Sequence, residues 1–256
     1  MQRRIRRELT KREQTMTDKI ATDLEEINGV CFEPNETVPF TGKLITKFEN
    51  GQKEQEISFK DGKQNGLTTS FFENGRKQEE GNYIDGKLNG LVTIWFESGK
   101  KQEETNYKDE QLNGLSTFWF ENGQKKSEEN FNDGKPNGLV TSFFENGQKK
   151  SEENFNDGKP NGLVTGWFDN GKKQVETNYK EGKSNGLVTI WFENGQKKSE
   201  GNYKDGQLNG LFTSWFENGQ RESETHYKNG QLDSSVTKRA ESEKVKKGMF
   251  SWLTGK

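Results

Sequence analysis

The sequence is nearly empty of the residues on which most protein chemistry depends. Its 256 residues include one cysteine, Cys31, and one histidine, His226. A single thiol forms no internal disulfide, and one Cys with one His excludes a Cys/His zinc site. No metal or other cofactor is expected. A nucleophile, a base and an orienting group cannot be assembled around His226, which stands where the surrounding pattern usually has Asn. The chain is therefore expected not to be an enzyme. Long apolar runs are missing too. Nothing approaches the roughly 18 residues of a membrane-spanning helix. The arginine-rich start has no apolar stretch behind it that would make a secretory signal. A cytoplasmic setting is the default expectation.

Hydrophobic residues are only 26% of the chain, and mean hydropathy is −1.20. Alone, these values imply disorder, because little apolar surface offsets the entropy of ordering. The aromatic content of 11% and the regular spacing of glycine oppose that reading. Net charge is −2 but uneven: residues 1–15 carry +4 and residues 238–256 carry +4, which leaves −10 for the middle. An acidic body repels phosphates, so no nucleic-acid partner is expected.

What the sequence does contain is a repeat. Gly42, Gly66, Gly90, Gly114, Gly138, Gly162, Gly186 and Gly210 are spaced 24 residues apart without a slip. A second glycine series, Gly51 to Gly219, keeps the same period. Residues 121–141 and 145–165 are identical. The pair Asn74-Gly75 predicts a type I′ hairpin turn, in which both central residues need positive φ. Asp85-Gly86 is a second such signal, and β-forming residues lie between the turns. The expectation is an all-β, elongated, single-layer antiparallel meander of eight hairpin repeats over 42–230. Sixteen strands at roughly 4.8 Å spacing would make a ribbon on the order of 75 Å long. Residues 1–28 read as a helical segment, 29–41 as a lead-in loop, and 231–256 as a cap with a basic, aromatic tail. Met16 offers a second possible start.

The core Tyr83-Ile84-Asp85-Gly86-Lys87-Leu88-Asn89-Gly90, followed by an aromatic residue and a second Asn-Gly, resembles the MORN repeat family. Its spacing is closer to the bacterial variant often described as antitoxin-like. The resemblance implies a β-hairpin scaffold for a protein partner, with neutralisation of that partner as the antitoxin-like form. It also implies lipid binding as an alternative. Enzymes that contain such repeats carry a separate catalytic domain.

Pairing across Asn74-Gly75 would set Phe72 opposite Lys77. One face then holds the Phe72 and Tyr83 columns, which read as a packing ladder. The other holds Phe71, Trp95, Trp119, Phe143, Trp167, Trp191 and Trp215 on an otherwise polar surface. A contact stripe and a second packing ladder are both open readings of that row. Glu80, Glu104 and Glu128 belong to a glutamate column beside it, either as a cation-attracting groove or as structural pairs. The lysine column through Lys77 reads as a solvated edge that discourages aggregation.

Three functions remain in competition. The first is a scaffold that captures a protein through the tryptophan face. The second is a membrane-associated adaptor, with Lys246, Lys247, Phe250, Trp252 and Leu253 as its contact residues. The third is binding of glycans or small cations by the aromatic rows, although a small-molecule ligand is not the first expectation. Open strand edges at both ends invite end-to-end self-association.

Overall fold

The computed structural model describes residues 19–234, and every element in them is a β-strand. The chain divides into two compact units, residues 1–135 and 136–256. In the first unit, strands Gly42–Lys47, Lys53–Lys60, Lys63–Phe71 and Lys77–Ile84 pair antiparallel in chain order. Strands Gly90–Trp95, Lys101–Lys108, Gln111–Trp119 and Lys125–Asn132 continue the same pattern. The second unit repeats it from Gly138–Phe143 to Arg221–Lys228. Four hairpins in each unit account for the eight repeats. The all-β, sequentially paired architecture matches the expectation.

The two turns of each repeat differ. Asp85 (φ 50°) and Gly86 (φ 84°) both lie in the left-handed region, so this turn is type I′. At Asn74-Gly75 only the glycine does, with φ 80°. The Phe72 carbonyl accepts from Gly75 N–H at 2.8 Å, and Phe72 N–H donates to the Arg76 carbonyl at 2.8 Å. That is a three-residue loop, a type I turn closed by a left-handed glycine, and it corrects the type I′ expectation.

Asparagine occupies that turn for its amide. The Asn74 Oδ1 accepts from Arg76 N–H at 3.0 Å, and its Nδ2 donates to the Glu97 carbonyl of the next repeat at 3.4 Å. Asn50, Asn146, Asn170 and Asn194 donate to the next repeat in the same way. Where Ser98 replaces the asparagine, Lys100 Nζ donates to the Glu121 carbonyl at 3.0 Å. On the opposite rim, Gly86 N–H donates to Gln64 O at 2.8 Å, and Gly206 N–H to Ser184 O at 2.9 Å. Both rims are thus laced from repeat to repeat.

The register follows the expectation from Gly66↔Tyr83 to Ser70↔Glu79, then shifts so that Phe71 pairs with Lys77. Gln78 is the extra residue of a β-bulge. A second irregularity lies at Gly66, where Ser58 faces the stretch between Gln64 and Thr68. Gly66 has φ 105°, and a Cβ there would meet the Ser58 Cβ at 3.3 Å, so only glycine fits without strain.

Three expectations at the first end are corrected. Residues 19–28 are not helical: Ile20–Ala21 and Glu25–Ile27 are strands, because the chain there finds extended neighbours that outweigh its helix propensity. Residues 29–41 are not simply a loop, since Val30–Phe32 pairs with Glu25–Ile27. The sheet is mixed and its first edge is not open, because Ile20 and Ala21 pair parallel with Lys43 and Leu44. Beneath this cover lies the largest apolar cluster of the unit: Ala21, Phe40, Ile57 and Phe59, flanked by Leu24, Cys31 and Leu44. Phe40 and Phe59 meet edge to face at 5.9 Å. Burial first, and Glu26 second, push the Cys31 thiol upward. The remainder of the expected helix, residues 1–18, lies outside the described residues. So does the tail from 235 on, which includes Lys246, Lys247, Phe250, Trp252 and Leu253.

The dual role of the turn asparagine is testable. Asn194→Asp keeps the oxygen that closes its own turn and removes the donor to Glu217. It should destabilise by about 1 kcal/mol in urea denaturation. Gly86→Ala, whose Cβ meets nothing within 4 Å, should cost about 1–2 kcal/mol from φ strain alone. Equal midpoints for wild type and Asn194→Asp would remove the lacing role.

Candidate functional site

The bulge decides what shares a face. Skipping Gln78 turns Lys77 onto the side that carries Phe71, Thr69 and Leu67. The lysine column stays solvent-exposed, 47% at Lys77, but it lies on the face of the aromatic column rather than on the opposite one. Lys77 Nζ lies 5.6 Å from the Trp95 ring centre and forms an ion pair with Glu80. Lys101 repeats this over Trp119 at 6.0 Å, paired with Glu104. In the second unit, Lys173 lies over Trp191 and Lys197 over Trp215, each at 5.8 Å. Glu128 pairs with Lys125 at 2.5 Å. The glutamate column is thus a row of ion-pair partners, in line with the structural alternative.

Three rows run side by side on this face within each unit. The middle one is threonine and glutamate: Thr69, Thr93 and Thr117 are buried in the first unit, Thr141, Thr165, Thr189 and Thr213 in the second. Thr69 Oγ1 donates to Glu80 at 3.3 Å and Thr189 Oγ1 to Glu200 at 3.4 Å. One flank carries the aromatic column, in which Phe71, Trp95, Trp119, Phe143, Trp167, Trp191 and Trp215 are all half-buried. The other flank carries leucines. Leu67, Leu91 and Leu115 are exposed in the first unit, and Leu139, Leu163, Leu187 and Leu211 in the second, from 50% at Leu67 to 39% at Leu211. The face is therefore not otherwise polar. Sequence reasoning placed Leu67 there but missed the leucine row, whose signal was the invariant Leu two residues before each Thr.

The opposite face differs between repeats. In the first unit it holds Thr105 and Ser116, each 1% exposed, beside Glu103 and Tyr107. Thr105 Oγ1 donates to Glu103 at 2.8 Å. Burial first, then Glu103 and Glu79, raise the Tyr107 hydroxyl above its ordinary value; burial, Glu79 and Glu110 do so for Tyr83. Among the described residues no group of three or more His, Cys, Asp or Glu side chains is placed to hold a metal.

The first repeat departs from the rows. Lys43 replaces the leucine and Lys47 the tryptophan. Lys43 and Lys53 both donate to Glu56, at 2.6 and 2.7 Å, and these hydrogen bonds hold its carboxyl below the ordinary 4.5. A depressed carboxylate stabilises the fold above its unfolded pKa, and that stability is lost as pH falls through the folded value. Glu56→Gln should therefore flatten the loss of stability expected as pH falls below about 4.5, measured by thermal melts against pH. An unchanged acid slope would remove this role.

A family model described as a MORN repeat variant matches the chain at residues 40–61, 64–85, 88–109, 112–133, 136–157, 160–181, 184–205 and 208–229. No curated protein matches the chain.

Proposed function

The chain belongs to the family of the MORN repeat variant, and from that premise we propose that it is a non-catalytic scaffold which holds a protein partner on the leucine and tryptophan face. The exposed leucine row carries this reading. Single exposed leucines are ordinary on protein surfaces, but a periodic row beside a tryptophan row is the mark of a contact surface. Tryptophan adds broad, rigid contact area at small entropic cost. The lysines and glutamates of this face neutralise one another, so shape and apolar burial, rather than a net field, favour the partner. A strongly basic face, as an anionic membrane surface would demand, is not what these rows provide. The antitoxin-like role is the narrower form of the proposal, in which the captured protein is toxic and capture neutralises it.

The test is capture of the partner by the full chain from its host lysate, against two altered baits. One carries Leu115→Ser and Leu163→Ser, the other Trp119→Ala and Trp167→Ala. Circular dichroism reports whether each still folds. A single dominant protein, retained by the wild type and reduced about tenfold or more by both folded variants, is the expected result. Equal capture by all three baits would place binding elsewhere. Sedimentation of the intact chain with anionic vesicles, and no protein capture, would replace the scaffold by a membrane adaptor.

A further inference from the structure

The second bulge residue of each repeat carries information that the rows above do not use. It points to the face of the Phe72 column; in two repeats of the second unit it is a lysine resting on that column, and in the other two it is Gln174 or Glu222. Lys150 Nζ lies 5.9 Å from the Phe144 ring centre, and Lys198 Nζ lies 5.6 Å from that of Phe192. In these repeats the lysine is followed by serine, as Lys150-Ser151 and Lys198-Ser199. Two repeats of the first unit read differently, as Gln78-Glu79 and Gln102-Glu103. There the built-in cation is missing and a carboxylate has appeared beside its seat.

At Gln102-Glu103 the vacated place is a cavity of about 260 Å³. It is lined by Phe96, Gln102, Glu103, Phe118, Trp119 and Phe120. Glu103 pairs with Ile94 on one side and Phe118 on the other, so it stands on the strand between the two aromatic rungs, and one of its carboxylate oxygens accepts from Thr105 Oγ1 at 2.8 Å. Phe118 is itself a departure, since other repeats have Ser70, Ile94, Ser142 or Gly166 at this position. Phe96 and Phe120 belong to neighbouring repeats, two strand spacings or roughly 9.6 Å apart along the sheet. That spacing leaves room for an ammonium group between the two rungs. Glu121 and Lys126 also line the cavity, so its carboxylates outnumber its ammonium groups.

We infer that this cavity is a binding site for an alkylammonium group, held by the rings of Phe96, Phe118 and Phe120 and the carboxylate of Glu103. The lysines of the sister repeats show the chemistry that fits: a cation over the phenylalanine face, favoured by the ring quadrupole. A volume just below the usual range for ligand pockets suits a headgroup rather than a large molecule. Trp119 also lines the cavity, so the site borders the tryptophan row; its test alters Gln102 and Glu103, which the scaffold baits leave intact, so the two readings fail separately.

The test uses the full chain and two probes, choline for a quaternary ammonium and n-butylammonium for a lysine side chain. The double variant Gln102→Lys, Glu103→Ser rewrites this repeat as its sisters read, so its fold is already precedented in the chain. Aromatic resonances of Phe96, Phe118 and Phe120 are followed by NMR during titration. The expected result is a saturable shift with at least one probe, weakened about tenfold or more in the double variant. Whichever probe saturates at the lower concentration identifies the source of the group, a free quaternary ammonium or a partner's lysine. No saturable shift with either probe, or equal binding by the double variant, would overturn the assignment.

Discussion

Everything in these repeats depends on hydrogen bonds that leave one hairpin and end on the next. The interior offers little else: outside the cluster at the first edge, the buried positions on the sheet are mostly threonines. A strand pair with so little apolar area is marginal by itself. Its polar groups must therefore be satisfied by a neighbour. The turn asparagine, the N–H of the second type I′ turn residue and the ladder bonds between hairpins do this from repeat to repeat, with Lys100 and Glu110 standing in where Asn or Gly is replaced. Stability then accumulates as a sum of repeat and interface terms.

The same economy explains the two sides of the sheet. On the leucine and tryptophan face, a buried threonine such as Thr69 reaches a glutamate that is ion-paired to a lysine, and that lysine rests on the tryptophan of the next repeat. Exposed ion pairs of this sort contribute little individually. Their effect is to fix the long side chains in place and keep the tryptophan faces partly covered. Leucine has no such cover, and it is the residue that the sheet leaves for something else to touch.

How far this could be read from residues alone varied with the length of the signal. Asp85-Gly86 was legible as a type I′ turn because both residues bear the required φ. Asn74-Gly75 was misread because a three-residue loop also needs glycine at its left-handed position, and the amide role of the asparagine shows only once the next repeat is in place. The register was correct up to Ser70↔Glu79 and failed at Phe71↔Lys77. One bulged residue has no periodic signature, yet it moved the whole lysine column onto the other face. At the first end, two-residue parallel pairing leaves no pattern to find, and helix propensity over residues 19–28 pointed the wrong way. The tryptophan column was placed correctly, whereas the leucine row beside it was overlooked because exposure cannot be read from identity.

The covered first edge gives the array an origin. A strand ladder is normally extendable from either side, since each rim presents the same unpaired groups. Here Ile20 and Ala21 run parallel to Gly42–Lys47, and Phe40 packs on Phe59 behind them. A further repeat placed ahead of Gly42 would meet a strand of the wrong direction and a small apolar plug. New copies of the 24-residue unit are compatible with the sheet only downstream of that plug. The protein is thus built to lengthen in one direction, and residues 19–41 mark position zero on that scale.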